Sequence, residues 1–203
     1  MIRMMKVVLP CAAMLAASVS FAQETAPETP ATGTAEQIRE QLSLGTTGDG
    51  TVELGQPYTA EVIGDWEMRC IKTEAEEDPC QMYQLMDDGQ GAPVAEFSLF
   101  RLPDGGKAVA GATVVVPLET SLTNQLAISV DGGEARRYPF AFCAAVGCYA
   151  RVGLTAADVS AFKAGAQAVI TIVPAAAPDQ KVDLTMSLTG FTASFDKVSV
   201  IAP

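Results

Sequence analysis

Four cysteines stand in the body of this chain as two close pairs, Cys70 with Cys80 and Cys143 with Cys148, behind an N-terminal segment patterned like an export leader. Covalent ties between nearby positions limit the available folds more sharply than any residue propensity. An even number of cysteines in an oxidising compartment favours pairing, yet four cysteines allow three connectivities, and the sequence leaves all three open. Local pairing is the simplest. Chain-entropy reasoning gives about 3 kcal/mol for the Cys70–Cys80 loop and about 2 kcal/mol for the Cys143–Cys148 loop. A bridge joining the two regions across sheets is the main competing arrangement.

Residues 1–22 read as a signal peptide. Arg3 and Lys6 precede an uncharged apolar run from Val7 to Val19, and Ser20-Phe21-Ala22 puts small residues where cleavage before Gln23 needs them. The run falls short of the roughly 20 apolar residues of a membrane span, and no later segment approaches one. Cys11 lies early in the run and leaves with it. The expected location is the periplasm or the cell surface.

The formal charge of −11 falls to −13 once Arg3 and Lys6 are removed with the leader. Such acidity repels nucleic acid and anionic membrane surfaces. The chain has no histidine. That excludes Ser-His-Asp and Cys-His nucleophilic machinery, histidine-ligated zinc and histidine pH switching.

Residues 23–57 read as a flexible Pro/Thr/Glu-rich linker. Thr34-Ala35-Glu36-Gln37 has capping-box spacing, with Ile38 and Leu42 on one face of a short helix. From Tyr58 the apolar pattern is mostly period two. Trp66, Met68 and Cys70 alternate with Glu67 and Arg69, while Ala95, Phe97 and Leu99 alternate with Glu96 and Ser98. Asp104-Gly105-Gly106 and Asp131-Gly132-Gly133 mark hairpins, the second between strands at Leu126–Val130 and Ala135–Phe142. Thr155, Asp158 and Gly165 bound one short helix. Phe191–Val198 reads equally as a helical turn or an edge strand. Strands at this spacing predict an antiparallel β-sandwich over residues 58–203.

Several residues along this pattern resemble one family. They are Gly64-Asp65-Trp66 followed by Cys70, Cys80 and Gln84; Val109-Ala110-Gly111 and Pro117-Leu118; and Tyr138-Pro139-Phe140 leading into Cys143, Val146-Gly147-Cys148. Lys163-Ala164-Gly165 and Ser187-Leu188-Thr189-Gly190-Phe191 extend the match. Together they are similar to the invasion-associated locus B (IalB) family over roughly Tyr58 to Ser199. The resemblance implies an exported protein of Gram-negative bacteria with an immunoglobulin-like sandwich fold. Joined to the residue pattern, it gives the expected fold: all-β, an immunoglobulin-like antiparallel β-sandwich with one short helix and, ahead of the matched region, a disordered N-terminal segment. It implies no catalytic residues, cofactor or metal.

Each candidate site has a plainer reading beside it. Catalytic dithiols sit two residues apart at a helix start, whereas these pairs are wider and open no helix, so Cys70, Cys80, Cys143 and Cys148 are expected to be structural disulfides rather than redox centres or zinc ligands. Trp66, on an alternating strand beside a cysteine, is expected in the core rather than exposed as a binding anchor. Glu74, Glu76, Glu77 and Asp78 lack a calcium-loop register and read as a solvated loop. Arg136, Arg137 and Arg151, near the second cysteine pair in sequence, are the partner-binding candidates; the plainer account is edge charges. The expected function is a non-enzymatic module binding a protein or envelope component. The alternatives are an envelope thiol-disulfide oxidoreductase and a carboxylate-based hydrolase.

Overall fold

A computed structural model describes residues 51–89 and 91–201; the leader, the capping-box segment around Thr34 and most of the linker lie outside them. Eleven strands and two helices follow in order: β1 (Pro57–Ile63), β2 (Trp66–Ile71), β3 (Cys80–Asp87), β4 (Pro93–Arg101), β5 (Ala110–Val116), β6 (Leu126–Val130), β7 (Arg136–Tyr138), β8 (Phe140–Ala144), β9 (Gly147–Leu154), α1 (Ala156–Ala164), β10 (Gln167–Ile172), β11 (Val182–Ser187) and α2 (Phe191–Lys197). The strands form a seven-stranded sheet, β1-β2-β3-β4-β5-β9-β8, and a four-stranded sheet, β11-β10-β6-β7. Neighbouring strands pair antiparallel throughout both sheets. The expected immunoglobulin-like sandwich is the fold. No helix among the described residues is long and apolar enough to cross a membrane.

Alternation explains which side of each strand is buried. Trp66, Met68 and Cys70 on β2, Ala95, Phe97 and Leu99 on β4, and Ala150, Val152 and Leu154 on β9 turn inward. All of these but Cys70 meet Leu126, Ile128, Ile170, Leu184 and Met186 from the smaller sheet in one core. Trp66 is fully buried, as expected, and packs edge-on against Phe97 at 5.9 Å and Phe191 at 5.5 Å between ring centroids. Phe191 stacks in turn on Phe162 of α1 and Phe195 of α2. Each such aromatic removes on the order of 150–250 Å² from water, about 4–6 kcal/mol before entropic costs.

One polar group sits inside this seam. Gln84 of β3 is 8% exposed. Its Nε2 donates to the carbonyls of Asp65 and Ser187, both at 3.0 Å, and its Oε1 accepts from the Ser187 amide at 2.7 Å. A single side chain therefore ties the β1–β2 turn and β11 to the larger sheet. The same corner brings two backbones into contact. A Cβ on Gly64 would collide with the carbonyl of Thr189, and one on Gly190 with the carbonyl of Ile63. Both glycines also have positive φ, at 61° and 87°, which only glycine adopts at little cost.

Two elements depart from the expectation. The run Ala135–Phe142 is not one strand. Pro139 has no N–H to give a ladder, and the chain changes sheets there, β7 pairing with β6 and β8 with β9. Phe191–Val198 resolves as α2, a second helix beside the expected one. Gly190 turns the chain, and Phe191, Ser194, Phe195 and Val198 then fall on one buried face at helical spacing. Helix α1 matches its predicted bounds: Thr155 and Asp158 form a reciprocal capping box.

Two substitutions test the seam with opposite signs. Gln84→Leu removes the partner of three part-buried backbone groups and is expected to lower stability by about 2–4 kcal/mol in urea denaturation. The buried Ser194 hydroxyl has no hydrogen-bond partner. Ser194→Ala is therefore expected to be neutral or stabilising by up to about 1 kcal/mol in the same measurement.

Candidate binding surface at the Cys143–Cys148 hairpin

Both disulfides are local, Cys70–Cys80 and Cys143–Cys148. Each joins directly opposed residues on adjacent strands, β2 with β3 and β8 with β9. None of the four cysteines opens a helix. The second bridge braces a tight hairpin whose turn, Ala145-Val146, projects from the end of the larger sheet. Val146 is 76% exposed and Phe142 45%. Phe142 lies parallel to Tyr149 of β9, with ring centroids 4.7 Å apart, and the Arg151 guanidinium sits 5.6 Å from the Phe142 ring centre. Such a contact contributes about 0.5–1 kcal/mol at an exposed site. Arg151 makes no ion pair among the described residues. Composition offered no signal for this strip; only the register places Phe142 beside Tyr149.

The three arginines do not converge. Arg136 pairs with Ile128, whose side chain faces the core, so Arg136 lies on the inner side at the margin of the smaller sheet. Its Nη1 donates to Asp158 Oδ2 at 3.0 Å. The same oxygen accepts from the Thr155 amide and hydroxyl, so Arg136 is bound into the cap of α1. A cleft of about 330 Å³ opens there, with Tyr138, Val130 and Phe162 in its walls. Burial pushes the Tyr138 hydroxyl pKa up, the Asp158 charge adds to the rise, and Arg136 partly offsets it. Arg137 points to the opposite, outer side of the smaller sheet and donates to the Asn124 carbonyl at 3.3 Å. Arg151 occupies the outer side of the larger sheet, on the far side of the sandwich from Arg137.

The acidic loop divides into two kinds of residue. Glu74, Glu76 and Glu77 are exposed, as expected of a solvated loop. Asp78 is not: its side chain is 8% exposed. It accepts from the Tyr58 hydroxyl at 2.7 Å, the Thr73 amide at 2.7 Å and hydroxyl at 3.0 Å, and Lys72 Nζ at 3.1 Å. The Tyr58 hydroxyl, then the Thr73 amide, hold this carboxyl well below the usual carboxylate range. No set of three or more metal-ligating side chains converges among the described residues.

Residues 66–199 match the family model described as Invasion associated locus B (IalB) protein. An invasion protein B homolog of Brucella abortus (strain 2308) is 26% identical over 147 residues, covering 72% of this chain and 83% of the relative. A homolog from Brucella abortus biovar 1 (strain 9-941) matches to the same extent. Among solved structures, the invasion associated protein B of Bartonella henselae superposes with a TM-score of 0.57 at 23% identity, covering 66% of this chain and 90% of that one.

Two measurements follow. Asp78 gains its partners only in the folded chain. Its contribution is therefore complete above the unfolded carboxyl value of about 3.9 and is lost as pH falls from there through its lower folded value. Asp78→Asn is expected to lower the urea midpoint at neutral pH, with the gap to wild type narrowing steadily below about pH 4. For the bridges, Cys143 is exposed whereas Cys70 is buried and Cys80 half-buried. Reductant titration with alkylation and mass mapping should open Cys143–Cys148 at least about tenfold faster than Cys70–Cys80.

Proposed function

The chain belongs to the invasion associated locus B (IalB) family, and from that premise we propose that it is an exported, non-enzymatic β-sandwich that binds a protein or envelope component in the periplasm or at the cell surface. In this reading residues 1–22 are a cleaved leader, 23–57 a tether and 58–203 the binding domain. The names carried by its relatives support a role associated with invasion. The two disulfides are consistent with an oxidising location.

The observation that carries the reading is the Phe142–Tyr149 stack beside Arg151. It presents a half-exposed aromatic surface and a cation without a carboxylate partner on a covalently braced hairpin of a strongly acidic chain. Aromatic and arginine side chains on a rigid support are the usual anchors of protein recognition. The partner set of Arg136, Arg137 and Arg151 reduces to Arg151 on this face, because Arg136 serves the helix cap and Arg137 lies on the other side. The cysteines on strands lack the helix-start setting that stabilises a catalytic thiolate, which weighs against the oxidoreductase alternative. Asp65, Asp87, Asp88 and Asp183 line one cleft of about 400 Å³, the place where the hydrolase alternative would have to act.

Cross-linking in intact cells, read by mass spectrometry, tests the proposal. A neighbour cross-linked near the hairpin is expected with wild type. Its yield should drop about tenfold with Arg151→Glu combined with Phe142→Ser, while the circular dichroism spectrum stays unchanged. An equal yield from wild type and variant would remove this face from the proposal.

A further inference from the structure

The four sheet edges are guarded differently. An open edge invites pairing by another strand, and charges, proline or bulges are the usual defences. Strand β1 carries Pro57, Glu61 and a bulge between Thr59 and Glu61. Strand β11 carries Asp183, and β7 carries Arg136 and Arg137. Strand β8 reads Phe-Ala-Phe-Cys-Ala, and no charged residue occurs between Tyr138 and Arg151. Its defences, Pro139 just ahead of it and the bulge at Ala141, both lie at its start and leave Phe142 to Ala144 in regular register with β9.

The backbone of β8 is turned outward at a definable place. The Cα atoms of Cys143 and Cys148 lie 4.0 Å apart, the narrow spacing of a pair that exchanges no hydrogen bonds. The two-residue turn Ala145-Val146 gives the same phase, since the Ala144–Gly147 pair that closes it is the hydrogen-bonded one. Cys143 therefore directs its N–H and C=O away from β9, off the open edge.

We propose that β8 is the self-association edge of this protein, pairing antiparallel with β8 of a second copy about a two-fold axis beside Cys143. The occupant follows from the charges. Pairing of two copies along β1, β11 or β7 would bring Glu61, Asp183, or Arg136 and Arg137 of both copies into one seam; like charges brought close across strands are unfavourable. Of the four edges, β8 alone brings no charged residue to a seam between two copies. In the two-fold register Phe142 lies opposite Ala144 of the second copy, large against small, and no charge is buried. The outer strip of Phe142, Tyr149 and Arg151 then continues from one copy into the next. This inference is independent of the partner-binding reading. Five-residue edges bury less than the roughly 800 Å² per partner of a standard interface, so the association is weak and concentration-dependent.

Sedimentation velocity of the leader-free protein at about 5 µM and about 500 µM, in about 0.15 M salt to screen the net charge, reads the mass directly. The expected result is a shift from one copy towards two. Ala144→Lys should abolish the shift while the circular dichroism spectrum is retained. Hydrogen exchange on wild type needs no variant: the peptide covering 140–144 should slow at least about tenfold between the two concentrations, while 57–63 and 182–187 do not. A single-copy mass at both concentrations overturns the proposal. So does a folded Ala144→Lys variant that still doubles, or concentration-dependent protection at another edge instead of β8.

Discussion

Trp66 is held from two directions, by Phe97 on β4, two strands along the same sheet, and by Phe191 at the start of the last helix. Phe191 passes the contact to Phe162 and Phe195. This aromatic chain joins the larger sheet to both helices, and the core they share with the smaller sheet is built around it. Close packing leaves little room to absorb a change in any one ring. The Gln84 amide works beside it in a complementary way. Apolar burial is indifferent to direction, whereas three hydrogen bonds fix where the β1–β2 turn meets β11.

Local polar groups repeat a second strategy, in which one carboxylate serves several donors. Asp158 caps α1 and holds Arg136. Asp131, at the β6–β7 turn with φ of 46°, accepts from the amides of Ala166 and Gln167 where α1 hands over to β10. Asp78 gathers Tyr58, Lys72 and Thr73 around the first cysteine loop. Net acidity thus overstates the free negative charge. Several carboxylates are internal fasteners, and the surface that remains free to meet another molecule includes an aromatic hairpin with little charge.

Strand alternation was legible because one face of each strand is buried and the other is not. Ala95, Phe97 and Leu99 announce their side without any knowledge of the partner strand. Helix α1 was legible through its cap, a contact confined to four residues. The crossing at Pro139 was not, since the period-two pattern continues through it and only the identity of the neighbouring strand changes. The arginines failed for a related reason. Nearness in sequence does not survive alternation, which sends Arg136 and Arg137 to opposite sides, or a change of sheet, which carries Arg151 to another layer. Gln84 and Asp78 owe their roles to partners fixed by tertiary structure, up to 103 positions away for Gln84.

Between Tyr138 and Phe140 a single proline carries the chain from one layer of the sandwich to the other. That leash is too short to let the layers drift apart while each keeps its own ladder. Peeling β7 from β6 pulls on β8, and beyond it on the bridged hairpin. A protease seeking an extended stretch of backbone here must therefore wait for both layers to loosen at once, so resistance to cleavage at this junction tracks the opening of the whole domain rather than the fraying of an edge.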